Sequence, residues 1–149
     1  MSMLMRESEE YFEKGVKAFA NGHHHLALTC FERTPEMTSS PQGSIYLALC
    51  LVKARGEYDR AIALVNAAIG REPQNQEHFI TLGEILIMAN RRQEAIDAFC
   101  RGMQLGRCEE IERQLESLGR RKPPVFESLG RSHPVNKYLG KVLTKLGFR

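Results

Sequence analysis

Apolar and small residues recur along this chain at a fixed interval of 34. Ala27, Ala61 and Ala95 keep that interval. Tyr11, Ile45 and Phe79 stand sixteen residues before these alanines, and Phe31, Val65 and Phe99 four residues after them. Gly22, Gly56 and Asn90 hold the same register five residues before. A period of this length predicts stacked helix–turn–helix pairs, because one pair has a second apolar face that only another pair can cover.

The spacing inside each period agrees. Tyr11, Phe12, Gly15, Ala18 and Phe19 predict a helix with one broad apolar side over 8–21. Asn21-Gly22 closes it, the glycine being free to adopt a left-handed cap. A returning helix over 24–33 carries Leu26, Ala27, Cys30 and Phe31, and Pro35 to Pro41 reads as a loop. The second unit pairs a helix bearing Ile45, Ala48, Leu49 and Val52 with one bearing Ala61, Ile62, Val65, Ala68 and Ile69. Pro73 stops it, since proline cannot extend a helix interior. The third unit pairs Phe79, Leu82, Gly83 and Leu86 with Ala95, Ile96, Phe99 and Met103, and Gly106 ends it. The expected units are therefore 8–41, 42–75 and 76–106, followed by a basic helical extension over 107–149 that packs as a cap. Within the extension, Ile111, Leu115 and Leu118 predict a short amphipathic helix, and Val135, Tyr138, Leu139, Val142, Leu143 and Leu146 a last one.

This pattern resembles the tetratricopeptide-repeat family over about 8–106. The matching residues are Tyr11, Gly15, Gly22, Ala27 and Phe31; Ile45, Gly56, Tyr58, Ala61, Ala68 and Pro73; and Phe79, Leu82, Gly83, Ala95 and Phe99. Lys14 departs from the pattern where an aliphatic is wanted, Leu49 where glycine is wanted, and Thr34 and Gly102 where the late alanine is wanted. The resemblance implies an all-α fold, a right-handed α-α superhelix with C-terminal capping helices. It also implies a concave face lined by the first helix of each pair. Carried over residue by residue, that face holds Phe12, Val16 and Phe19; Tyr46, Cys50 and Lys53; and Ile80, Glu84, Ile87 and Met88.

The resemblance implies a protein-interaction module, an adaptor, scaffold or small chaperone that binds a partner peptide in an apolar groove. A charge at Tyr46 is expected to abolish binding and leave the helices intact. One subfamily captures the terminal carboxylate of heat-shock chaperones with a clamp of lysine and asparagine. Val16, Cys50 and Glu84 stand at the positions such a clamp needs, so that role is not expected here. A small secretion chaperone of three such repeats, which cradles an apolar client segment, is the nearer analogue. The other reading is a self-associating subunit whose groove is filled by its own C-terminal segment, with Pro123-Pro124-Val125-Phe126 suited to it, or by a neighbouring protomer.

Bulk properties narrow the picture further. The chain has 149 residues, 42% apolar and 26% charged, which suits one globular domain rather than disorder. The net charge of +3 is too small to imply nucleic acid by itself. It is also uneven: from Arg107 to Arg149 there are ten Lys/Arg against five Asp/Glu. Arg120, Arg121, Lys122, Lys137, Lys141 and Lys145 form a basic patch without an accompanying aromatic stacking set, so a solvated face is expected and nucleic acid is not. There is no secretory leader pattern and no long apolar run, so a cytoplasmic protein with no membrane contact is expected. Cys30, Cys50, Cys100 and Cys108 show no CxxC pairing and read as reduced thiols. His23-His24-His25 is conspicuous, but consecutive positions do not share one face, so no metal is expected. No phosphate loop, GxSxG or HExxH motif occurs, so neither an enzyme nor a cofactor is expected.

Overall fold

The computed structural model describes residues 3–119 together with Lys145 and Gly147. Among the described residues there are eight helices and no strand. Three antiparallel pairs follow one another: α1 (Met3–Ala20) with α2 (His24–Glu32), α4 (Pro41–Arg55) with α5 (Tyr58–Arg71), and α6 (Gln76–Met88) with α7 (Arg92–Met103). A single helical turn, α3 (Pro35–Thr38), joins the first pair to the second, and α8 (Glu109–Ser117) follows the third. Each second helix packs on its own partner and on the helix that follows, α2 on α4, α5 on α6 and α7 on α8, so one core runs through the unit that ends at Leu118.

The 34-residue register reappears as geometry. Gly22, Gly56 and Asn90 are the three turn residues, and all have left-handed φ, at 79°, 66° and 59°. At the first and third turns the next amide reaches back in the Schellman manner: His23 N–H to the Ala18 carbonyl and Arg91 N–H to the Leu86 carbonyl, both at 2.8 Å. Ala27, Ala61 and Ala95 are all fully buried, because the paired helices approach closely beside them. At helix starts, Ser40 Oγ accepts from the Gly43 amide at 3.1 Å, and Asn75 Oδ1 from the Glu77 amide at 3.2 Å.

The departures have physical reasons. Lys14 is exposed, whereas Ala48 and Leu82 in the same register are buried. These later positions meet the preceding pair, and among the described residues no pair stands before the first for Lys14 to meet. Thr34 is fully buried, yet its hydroxyl is satisfied by the Phe31 carbonyl at 3.2 Å.

Two expectations need correction. The first helix begins at Met3, not at residue 8, and Met3, Leu4 and Met5 on its added turn are exposed. Periodicity missed this turn because it buries nothing. The segment after Arg33 is not a plain loop but includes the helical turn α3, tied by the Thr38 hydroxyl to the Thr34 carbonyl at 3.1 Å. Ser44 Oγ reaches the Thr38 carbonyl at 2.9 Å, and Gly43 supplies the space, since a Cβ there would run into the Met37 carbonyl.

Helix α8 follows the expected amphipathic pattern and buries Ile111 and Leu115. Gly102, the departure from the late alanine, lies under it: a Cβ there would stand 2.8 Å from Ile111 Cδ1. Gln76 fastens the same corner, donating to the carbonyls of Gly102 at 2.9 Å and Gly106 at 2.8 Å. The last predicted helix and its capping role lie outside the described residues.

Candidate functional site

The first helix of each pair carries one stripe at i, i+4, i+7, and the three stripes occupy the same register. The upper row is Phe12, Tyr46 and Ile80; the middle row Val16, Cys50 and Glu84; the lower row Phe19, Lys53 and Ile87. Met88, beside the last of these, is 43% exposed. Eight of these ten residues are at least partly accessible apart from Met88, and Cys50 is the exception. It is fully enclosed, because the middle pair has a neighbour on either side. Burial pushes its thiol up to about 12, against a smaller opposing effect of the Lys53 ammonium. Cys50 therefore stays a neutral core thiol, and a partner does not reach it without rearrangement.

Tyr46 is the hub of the first two stripes. Its ring lies 6.2 Å from Phe12 and 5.8 Å from Phe19, both edge-on, and stacks on Phe31 at 5.8 Å. Edge-on and offset contacts of this kind suit the aromatic quadrupole. The ring is only half-buried, so one part of it holds the core and the rest is accessible. Lys53 Nζ stands 5.3 Å from the centre of the Phe19 ring, within cation–π range. The lower row is thus not purely apolar.

Glu84 is half-buried in the middle row. Burial and then the Glu110 carboxylate on α8 raise its carboxyl above the ordinary range, and Lys53 offsets part of that rise. The sequence places Glu84 on the face but gives no sign of Glu110, whose proximity arises from the way α8 folds back.

The histidine run divides. His23 and His25 are exposed, while His24 is half-buried with its ring 5.3 Å from Phe19. Its Nδ1 is enclosed without a hydrogen-bond partner. Burial, and then the charge of Lys53, lower its basicity. Among the described residues no group of three His, Cys, Asp or Glu side chains is placed to hold a metal. In the basic patch, Lys145 is exposed, and Arg120, Arg121, Lys122, Lys137 and Lys141 lie outside the described residues. Among the described residues no helix is long and apolar enough to cross a membrane.

A pocket lies beside Tyr46, between the starts of α4 and α6. Its lining includes Ile45, Glu72, Asn75, Glu77 and His78, none of them on the expected face. Reading stripes along single helices misses it, since its walls come from α4, α6 and the turn between α5 and α6. The available signal was Glu72 and His78 on either side of the Pro73 turn.

Three helix pairs in one register, closed by left-handed turns, define a tetratricopeptide-repeat protein. The family described as anaphase-promoting complex, cyclosome, subunit 3 matches residues 20–102, more than half of the sequence, and the chain belongs to this family of tetratricopeptide repeats. No curated protein matches it. Among solved structures it is similar to the first tetratricopeptide domain of Spaghetti (RPAP3) bound to the HSP90 peptide SRMEEVD. That similarity has a TM-score of 0.66 and 17% identity, over 77% of this chain and 92% of that one. The Sgt2 domain from Aspergillus fumigatus gives 0.65 and 19%, over 76% of this chain and 78% of that one. The second domain of human RPAP3, in complex with the HSP70 peptide SGPTIEEVD, gives 0.66 and 16%, over 79% and 99%. At these identities the likeness establishes the fold.

Proposed function

We propose that this chain is a non-enzymatic protein-interaction module that holds a peptide segment of a partner across the face lined by α1, α4 and α6. The observation that carries this reading is the accessible stripe of Phe12, Phe19, Tyr46, Ile80, Ile87 and Met88 on the first helices of three successive pairs. A face that combines aromatic anchors with a deformable methionine is suited to a partner side chain, not to a reaction. The fold supports it as well, since two of its structural neighbours are complexes with peptides.

The peptides in those two complexes are acidic at their ends. The middle row here offers Val16, an enclosed Cys50 and the carboxylate of Glu84, which give a carboxylate-bearing tail nothing to bind. The middle row therefore does not favour an acidic tail, and Lys53 in the lower row stands by the Phe19 ring. An adaptor or small-chaperone role for an apolar client segment fits the row better.

The experiment is a backbone amide NMR titration of the full chain with a peptide selected on it from a random display library. Shifts centred on Val16, Lys53, Ile80, Glu84 and Met88 support the reading. Shifts confined to the outer sides of α2, α5 and α7 would overturn it.

A further inference from the structure

The chemistry of the bound peptide is addressed by the pocket between the second and third pairs, which has a volume of about 400 Å³. That size falls within the usual range of ligand sites. Ile45 and Tyr46 supply an apolar wall from α4, and Glu72, Asn75, Glu77 and His78 supply a polar one. His78 is 5% exposed, and its Nε2 lies 2.7 Å from Glu72 Oε2. An ionised carboxylate has only acceptors, so the imidazole nitrogen carries the proton and donates it. Asn75 Nδ2 donates to the same oxygen at 3.2 Å. The His78 bond first, and the Asn75 bond after it, hold the Glu72 carboxyl below its ordinary range. Glu72 is thereby fixed as an anion at the pocket edge, with about half of its side chain open to solvent.

Glu77 adds a second carboxylate, which has no ion-pair partner among the described residues. No lysine or arginine is among the residues that line the pocket. Two carboxylates thus stand opposite an aromatic and an aliphatic side chain without a cation between them. A long basic side chain has the complementary form, an apolar stem and a charged head. The tyrosine ring face attracts the same charge, and the carboxylates repel an acidic segment.

We propose that this pocket takes a lysine or arginine side chain of the bound peptide. Its stem lies against Ile45 and Tyr46, and its cationic head reaches Glu72 and Glu77. The proposal rests on the peptide-holding reading above and adds to it the charge of the client.

The test uses the full chain and a phage-displayed library of short random peptides. The consensus peptide is then synthesised and titrated against wild type, Glu77→Gln, and the pair Glu72→Gln with Glu77→Gln. Glutamine at 72 keeps an acceptor for His78 but loses the charge that His78 and Asn75 favour, and Glu77 is exposed, so melting curves should fall only slightly below wild type. Expected are binders enriched in lysine or arginine and affinity weakened roughly tenfold by the double change, with a smaller loss for Glu77→Gln alone. The salt dependence of binding should shrink in parallel. Binders without basic enrichment, or unchanged affinity on the double variant, overturn the pocket assignment and leave the peptide-holding reading standing. No binder selected on wild type sinks both.

Discussion

A Cβ added to Gly15 would stand 2.7 Å from Cε1 of Phe31, so the first pair closes by fitting a phenylalanine ring against a bare glycine. Gly83 and Phe99 repeat the arrangement in the third pair, with the ring even nearer. In the second pair the same two positions hold Leu49 and Val65. The departure at Leu49 is therefore half of an exchange: the first-helix residue grows where the second-helix residue shrinks, and the pair still closes.

This exchange makes Gly83→Ala informative. Alanine in a helix interior is favoured over glycine by about 1 kcal/mol. Overpacking a filled core costs about 1–3 kcal/mol. Phe99 is fully buried and its Cδ1 would also lie 2.8 Å from the new methyl, so the ring has no room to move aside. The clash is expected to win, with a net loss of up to about 2 kcal/mol in urea unfolding. Adding Phe99→Leu should recover part of that loss; a stabilising Gly83→Ala would mean the close approach is not there.

Among the described residues, Asn90 occupies the one left-handed turn position that lacks glycine, at φ 59°. Asparagine tolerates this region better than other side chains, yet still less well than glycine. Asn90→Gly should stabilise the protein by about 0.5–1 kcal/mol, and Gly56→Asn should lose a similar amount. Paired thermal melts decide it, and opposite signs at the two positions are the required result.

The turns were legible in the sequence because each rests on one residue's backbone freedom, repeated in register at Gly22, Gly56 and Asn90. The second and third pairs were legible because Ile45 and Phe79 on the first helices, and Val65 and Phe99 on the second helices, recur at the same period. What was not legible depends on relations between segments. The turn α3 reads as loop because Pro35, Ser39, Ser40 and Pro41 are loop residues, and its stability comes from Thr38 and Ser44 bonding across it. The candidate face was legible as a register, but the enclosure of Cys50 follows from neighbours on both sides of the middle pair, which no single helix records. The pocket beside Tyr46 was missed for the same reason.

Tyr46 shows what this means for testing the face. A charge there was expected to spare the helices. Its contacts with Phe12, Phe19 and Phe31 instead make Tyr46→Glu a folding mutation: the rings lose a shared partner and gain a carboxylate among them. A loss of about 2–4 kcal/mol is expected, enough to lower the melting temperature by many degrees. Met88→Glu, at an exposed position on the same face, should change stability by less than about 0.5 kcal/mol and still weaken peptide binding. If Tyr46→Glu melts like wild type, the aromatic cluster does not hold the first two pairs together.

Glu84 gives the face a pH signature of defined sign. Burial first, and Glu110 second, raise its folded-state pKa above the ordinary value of 4.5. A raised carboxyl penalises the fold above its folded pKa, because the native state then keeps the anion where the unfolded chain would hold it at less cost. As pH falls through the folded pKa toward 4.5 the native state takes up its proton first, and the penalty is relieved. Glu84→Gln removes the charge at every pH. It should therefore melt higher than wild type at pH 7, with the advantage shrinking as pH falls and gone below about 4.5. Glu110→Gln should give a smaller advantage in the same direction and window, less what it loses through its bond from Arg113 at 2.6 Å. Melting curves of the three proteins across that range are the measurement. A Glu84→Gln variant less stable than wild type at pH 7 would mean that the carboxylate has a cationic partner, and Lys53 is the group to change next.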